Sequence, residues 1–155
     1  MIKYSDSFVV FEEIPDKVSL ALNITNCANN CPGCHSPELA LDMGQELTED
    51  TIDRLINENA GANCFLFMGE GRDYKRLLDL AMYIKEKYSY MAVGVYSGRD
   101  EVEDEYYKVF DYVKVGPYKE DLGPLNKRTT NQRLYKMVDG VKTDITERFW
   151  KNSIN

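Results

Sequence analysis

Three of the four cysteines fall in one short window, Cys27-Ala-Asn-Asn-Cys31-Pro-Gly-Cys34, while Cys64 stands alone in an apolar run. Three thiolates at x3 and x2 spacing can wrap one corner of a compact inorganic core. A structural zinc site normally takes four ligands from paired CxxC knuckles, which are absent here. A [4Fe–4S] cube has four irons to ligate, usually by four thiolates, so three cysteines leave one iron open. An open position on a metal is the mark of a reactive centre. Two blander readings stand beside this one: zinc with His35 as its fourth ligand, or three incidental thiols. Adjacent Cys34 and His35 would reach one tetrahedral metal with difficulty. A disulfide scaffold spreads its cysteines, because a bridge stabilises most by closing a long loop. A clustered, odd-numbered set reads instead as metal or cluster ligation in a reducing compartment, and so points to a cytoplasmic protein.

The elements that must position this loop follow from the hydrophobic pattern. Ser7–Ile14 and Val18–Ile24 read as strands, and Thr25–Pro37, rich in Asn, Cys, Pro and Gly, reads as a loop. Thr48 is a candidate N-cap, with acidic Glu49 and Asp50 behind it and Ile52, Leu55 and Ile56 at helical spacing. Asn63–Met68 is a continuous apolar run, as in a strand covered on both faces. Asp73 caps a longer helix striped by Leu77, Leu80, Ala81, Ile84 and Tyr88. Met91–Tyr96 is the next strand, and Asp100 with Glu103 suggests a capping box for a helix carrying Val102, Tyr106, Val109 and Phe110. Tyr112–Val115 is a strand ending at Gly116-Pro117. Lys119–Arg133 reads as polar loop, with a short helix near Thr146–Lys151.

Strands alternating with helices predict an α/β fold with a mostly parallel sheet and right-handed crossovers. In such sheets ligands bind at the C-terminal strand ends. The cysteine loop, Met68-Gly69-Glu70-Gly71, Ser97-Gly98 and Gly116-Pro117 all fall on that edge, so the chemistry is expected there.

The composition narrows the function classes. The chain has 155 residues, about one domain's worth, and no repeat or linker divides 1–155. A full eight-stranded α/β barrel needs about 250 residues and does not fit. A net charge of −7 makes nucleic acid a poor partner. No window approaches the roughly 18 apolar residues of a membrane span, and Met1–Asp6 lacks the apolar core of a secretion signal. A single histidine excludes the HExxH zinc hydrolases.

The ordered motifs resemble the radical S-adenosylmethionine (SAM) superfamily. Within it, Cys31-Pro-Gly-Cys34-His35-Ser36-Pro37 is similar to the small glycyl-radical activating enzymes, most nearly the branch that serves anaerobic ribonucleoside-triphosphate reductase. Met68-Gly69-Glu70 falls where that family has a Gly-Gly-Glu/Asp turn, with Met68 in place of the first glycine. Tyr96-Ser97-Gly98 resembles its aromatic-Thr-Gly strand end, Val115-Gly116-Pro117-Tyr118 its Gly-x-Phe turn, and Thr129-Thr130-Asn131-Gln132 its Ser-Ser-Asn-Gln run.

The resemblance implies a single-domain partial (β/α) barrel. It implies a [4Fe–4S] cluster held by Cys27, Cys31 and Cys34, and SAM contacted around Gly33, Cys34, His35, Met68, Gly69 and Glu70. It implies a 5′-deoxyadenosyl radical that takes the α-hydrogen of a glycine in the reductase's glycyl-radical subunit. Reduced flavodoxin or a similar carrier would supply the electron. The cofactor carries the hard chemistry, so no general base is needed.

Other functions stay open at this stage. The chain could be a small radical SAM enzyme acting on a small molecule, or a non-catalytic iron–sulfur or zinc module. Glu70 reads either as a site residue or as a solvated turn carboxylate, and Gly69 and Gly71 as site or simple turn residues. Cys64 reads as a buried small hydrophobe. Lys127, Arg128 and Arg133 form a basic patch, solvated or facing the reductase. The eleven tyrosines read as scattered and half-buried rather than as an aromatic partner surface.

Overall fold

The structure, a computed structural model, describes residues 1–25 and 43–150. Cys27, Cys31, Cys34, Gly33 and His35 lie outside the described residues.

Among the described residues, eight strands form one sheet: β1 (Lys3–Val10), β2 (Ser19–Ile24), β3 (Gln45–Glu46), β4 (Cys64–Met68), β5 (Ala92–Tyr96), β6 (Tyr112–Val115), β7 (Arg133–Val138) and β8 (Val141–Asp144). The helices of the described residues are α1 (Glu49–Glu58), α2 (Tyr74–Lys87) and α3 (Asp104–Val109), and a 3₁₀ turn covers Thr146–Phe149. The strand order is β3-β1-β2-β4-β5-β6-β7-β8.

This corrects the expected mostly parallel, partial-barrel fold. The sheet is mixed: the three central pairs β2–β4, β4–β5 and β5–β6 are parallel. The four outer pairs, β1–β2, β1–β3, β6–β7 and β7–β8, are antiparallel and outnumber them. The reason is connection length. No helix separates Val10 from Ser19, and parallel neighbours need a crossover of about a dozen residues or more. β1 therefore returns antiparallel to β2. Its bounds also shift from the expected Ser7–Ile14, because Ile14 leaves the strand and is fully buried beneath the sheet.

β7 and β8 lie between the expected loop, Lys119–Arg133, and the expected short helix near Thr146–Lys151, in a stretch to which the sequence pattern assigns no element. Val138 pairs with Val141 across Asp139-Gly140. Both turn residues have positive φ (50° and 78°), as a two-residue type I′ hairpin requires.

The caps at Thr48 and Asp73 form as expected, each side chain accepting from a backbone N–H three residues on. The capping box proposed for Asp100 and Glu103 does not. α3 begins at Asp104, and Glu103 occupies the N-cap without a side-chain cap bond, its carboxylate being held by Arg99.

Alternation along the strands divides the molecule into two apolar clusters. Leu20, Leu22, Phe65, Phe67, Val93, Val95 and Val113 face the helices and join Ile52, Leu77, Leu80, Ile84, Tyr106 and Phe110 in the main core. Ala21, Cys64, Leu66, Tyr112 and Leu134 face the other way, around Ile14.

Candidate functional site

The C-terminal ends of β2, β4, β5 and β6 make one edge. Thr25, Glu70, Ser97, Lys114, Thr130 and Gln132, six of the eight buried polar residues among those described, lie on it or brace it. Burying polar groups costs free energy unless they are paired, so such a concentration calls for a bonding account.

The turn after β4 supplies the first part. φ is 117° at Gly69 and 69° at Gly71, where a side chain would be strained. Met68 is not among the positive-φ residues; only Asp16 and Asp139 are, among the described non-glycine residues. Met68 can therefore stand where the resembling family has glycine without backbone strain. The same turn lies against the end of β2: a Cβ on Gly69 would meet the Ile24 carbonyl oxygen at 3.3 Å, and one on Gly71 the Thr25 oxygen at 3.6 Å. Thr25 is two residues before Cys27 in the chain. Its hydroxyl donates to the Met43 carbonyl. The segment that carries the three cysteines thus leaves and rejoins the described structure at one point, beside the glycine turn.

Glu70 is the centre of a bonded cluster and is not a solvated turn carboxylate, being 6% exposed. One carboxylate oxygen accepts from Ser97 Oγ at 2.5 Å and Arg99 Nε at 3.3 Å. The other accepts from Arg99 Nη2 at 2.6 Å and the Tyr106 hydroxyl at 2.6 Å. Arg99 also forks onto Glu103 at 3.0 and 2.8 Å. Hydrogen bonds from Arg99 hold the Glu103 carboxyl below its usual range. Burial, and then donation to Glu70, pushes the Tyr106 phenol well up.

The backbone extends this tie along the edge. The Arg99 N–H donates to Ser97 Oγ at 3.0 Å, and Gly116 N–H donates to the Arg99 carbonyl at 2.6 Å. Gly116 has φ of 102°, and a Cβ there would meet Gln132 Cα at 3.0 Å. Gln132 Nε2 donates to the Gly116 carbonyl at 3.3 Å, and Asn131 Nδ2 to that of Pro117 at 3.0 Å. Four segments distant in sequence, 69–71, 97–99, 116–117 and 130–132, are thereby brought together.

On the face away from the helices, Asn23, Met68, Tyr96 and Lys114 stand in register across the four parallel strands. The Tyr96 hydroxyl donates to the Glu13 carbonyl at 2.5 Å, and burial pushes its pKa far up. Lys114 Nζ donates to the carbonyls of Ser97 at 3.2 Å and Gly116 at 2.9 Å. Tyr96 and Lys114 floor a cavity of about 450 Å³ walled by Glu13, Tyr118, Leu125 and Phe149.

Of the expected site residues, the structure places Met68, Gly69 and Glu70 together on this edge; the cysteines, Gly33 and His35 lie outside the described residues. Cys64 is fully buried, and burial pushes its thiol up to about 12, as suits a small hydrophobe. Arg128 and Arg133 of the basic patch lie over the Trp150 ring at 5.7 and 5.9 Å from its centre.

Sequence reasoning passed over Arg99, Tyr106 and Lys114. Tyr106 sits on an apolar helix stripe, which hides its hydroxyl. Lys114, however, is a cation between two core valines, and that was a usable signal. Among the described residues, no group of three His, Cys, Asp or Glu side chains is arranged to hold a metal ion, and no helix is long and apolar enough to cross a membrane. The chain matches no family model, no curated protein and no solved structure.

Proposed function

We propose that the protein is a radical SAM activating enzyme that generates the glycyl radical of an anaerobic ribonucleoside-triphosphate reductase. The observation that carries this reading is that the segment bearing Cys27, Cys31 and Cys34 starts and ends at Thr25 and Met43, beside the Gly69–Gly71 turn. The donor set fits a [4Fe–4S] cluster with one iron left open. The edge fits SAM, because a turn with two glycines at positive φ offers its backbone without intervening side chains.

Cys27, Cys31 and Cys34 would hold the cluster, which when bound and reduced would supply one-electron cleavage of SAM to methionine and a 5′-deoxyadenosyl radical, the species that would take the α-hydrogen of the target glycine. In this reading, backbone groups around Gly33–His35 and Met68–Glu70 orient SAM. Met68, Tyr96 and Lys114 would line the adjoining face. A reducing cytoplasm would keep the thiols free, and flavodoxin or a similar carrier would deliver the electron.

The test is product release. Anaerobically reconstituted protein with dithionite should convert SAM to methionine and 5′-deoxyadenosine. Adding the reductase should produce a glycyl-radical EPR doublet. Cys34→Ser should abolish both. Iron-loaded protein that leaves SAM intact would refute the reading.

A further inference from the structure

The Glu70 carboxylate stands where a ligand contact is expected, yet four donors from this chain already occupy it: Ser97 Oγ, Arg99 Nε, Arg99 Nη2 and the Tyr106 hydroxyl. Through Arg99 the same cluster reaches the turns after β5 and β6, because the Arg99 N–H binds Ser97 Oγ and its carbonyl accepts from Gly116. Arg99 is held on its outer side by Glu103, which fixes it to the start of α3. A bidentate guanidinium–carboxylate pair fixes orientation as well as distance, unlike a single neutral hydrogen bond.

Resting on the functional reading above, we propose that Glu70 and Arg99 are a pair of positioning residues. They hold the Met68–Gly71 turn so that SAM meets its backbone, and the Glu70 carboxylate makes no contact with SAM. The nearest alternative is that Glu70 itself receives the SAM ammonium. The two differ in what they require of Arg99. A positioning pair fails when either partner is lost, whereas a direct ligand needs only the glutamate.

The experiment is a double-mutant cycle on the reconstituted full chain: Glu70→Gln, Arg99→Gln and both together. SAM binding is read from the change it causes in the reduced-cluster EPR spectrum, and iron content and thermal midpoint are recorded alongside. Loss of one charge-assisted contact lowers affinity about ten- to a hundredfold, so each single variant should raise the half-saturating SAM concentration by about that factor. The double variant should be no worse than the worse single variant, because both remove one unit. Iron content should not change, and the cleavage rate at saturating SAM should fall far less than the affinity.

Arg99→Lys should recover only part of the loss, since an ammonium cannot fork onto two carboxylates. Tyr106→Phe, which removes one hydroxyl and keeps the ring in the core, is the milder companion and should shift affinity in the same direction by less. In the unloaded protein, the amides of Arg99 and Gly116 should exchange hydrogen faster in both single variants.

Loss of SAM affinity in Glu70→Gln with none in Arg99→Gln would overturn the proposal in favour of direct contact. Unchanged affinity in both would overturn it as well. A wild-type cluster indifferent to SAM would refute the functional reading itself and this proposal with it, and it shows before any substitution is made.

Discussion

The two faces of the central strands are built from alternate residues of the same short runs, and they are not equivalent. Towards the helices, Phe65, Phe67, Val93, Val95 and Val113 are apolar and fully buried along the whole strand. On the opposite face the character changes along the strand, from Cys64 and Ala92 through Leu66, Gly94 and Tyr112 to the row of Asn23, Met68, Tyr96 and Lys114. One face therefore holds the fold together. The other carries a gradient that ends in polar groups at the C-terminal edge, where the glycine turns and the Glu70–Arg99 ion pair lie. Stability and chemistry are divided between side chains one position apart.

The largest expected effect that tests this division is on the helix face. Phe67 packs against Phe65 at 5.1 Å and Phe110 at 6.1 Å between ring centres. Phe67→Ala should destabilise the protein by about 3–5 kcal/mol, through lost transfer energy and a residual cavity. Chemical denaturation measures it. A loss under about 1 kcal/mol would mean that this face is not the one that holds the fold.

A middle-sized effect belongs to the edge. Arg99→Gln leaves Glu70 and Glu103 without their shared cation, and should cost about 1–3 kcal/mol at neutral pH. The Glu103 carboxyl is lowered in the folded protein by hydrogen bonds from Arg99. Its contribution to stability is therefore present above the ordinary carboxylate value of 4.5 and is lost as pH falls through the folded value. The gap between wild type and Arg99→Gln should narrow as the pH drops below about 4.5. A gap that widens in acid would reverse the assigned sign.

The smallest effect sharpens the contrast with Phe67. Met68 is the next residue in the chain but is only half-buried, on the other face. Met68→Ala should alter stability by about 1 kcal/mol or less. Its consequence should appear instead as a changed EPR response to SAM. A loss as large as that of Phe67→Ala would erase the distinction between the faces.

Much of this was legible in the sequence where one local rule decides the outcome. Thr48 and Asp73 cap helices because a short polar side chain reaches the backbone N–H three residues on. The glycines mark the strand ends because positive φ excludes side chains there. The mixed sheet was missed because alternation of strands and helices speaks only for the centre, and both outer edges are built of antiparallel returns. The β7–β8 hairpin did carry a signal, Asp139-Gly140, but its strands lack clean alternation: β8 is exposed at every position. The Glu70–Arg99 pair was hidden for a different reason. Its members are 29 positions apart and meet only through strand register.

The measurement that bears most directly on the account is the reduced EPR spectrum of anaerobically reconstituted protein, with and without SAM, beside an iron and sulfide count. The account predicts about four irons per chain, as a [4Fe–4S] cluster requires, and a spectrum that changes when SAM is added. Zinc in place of iron, or a cluster whose spectrum ignores SAM, would contradict it.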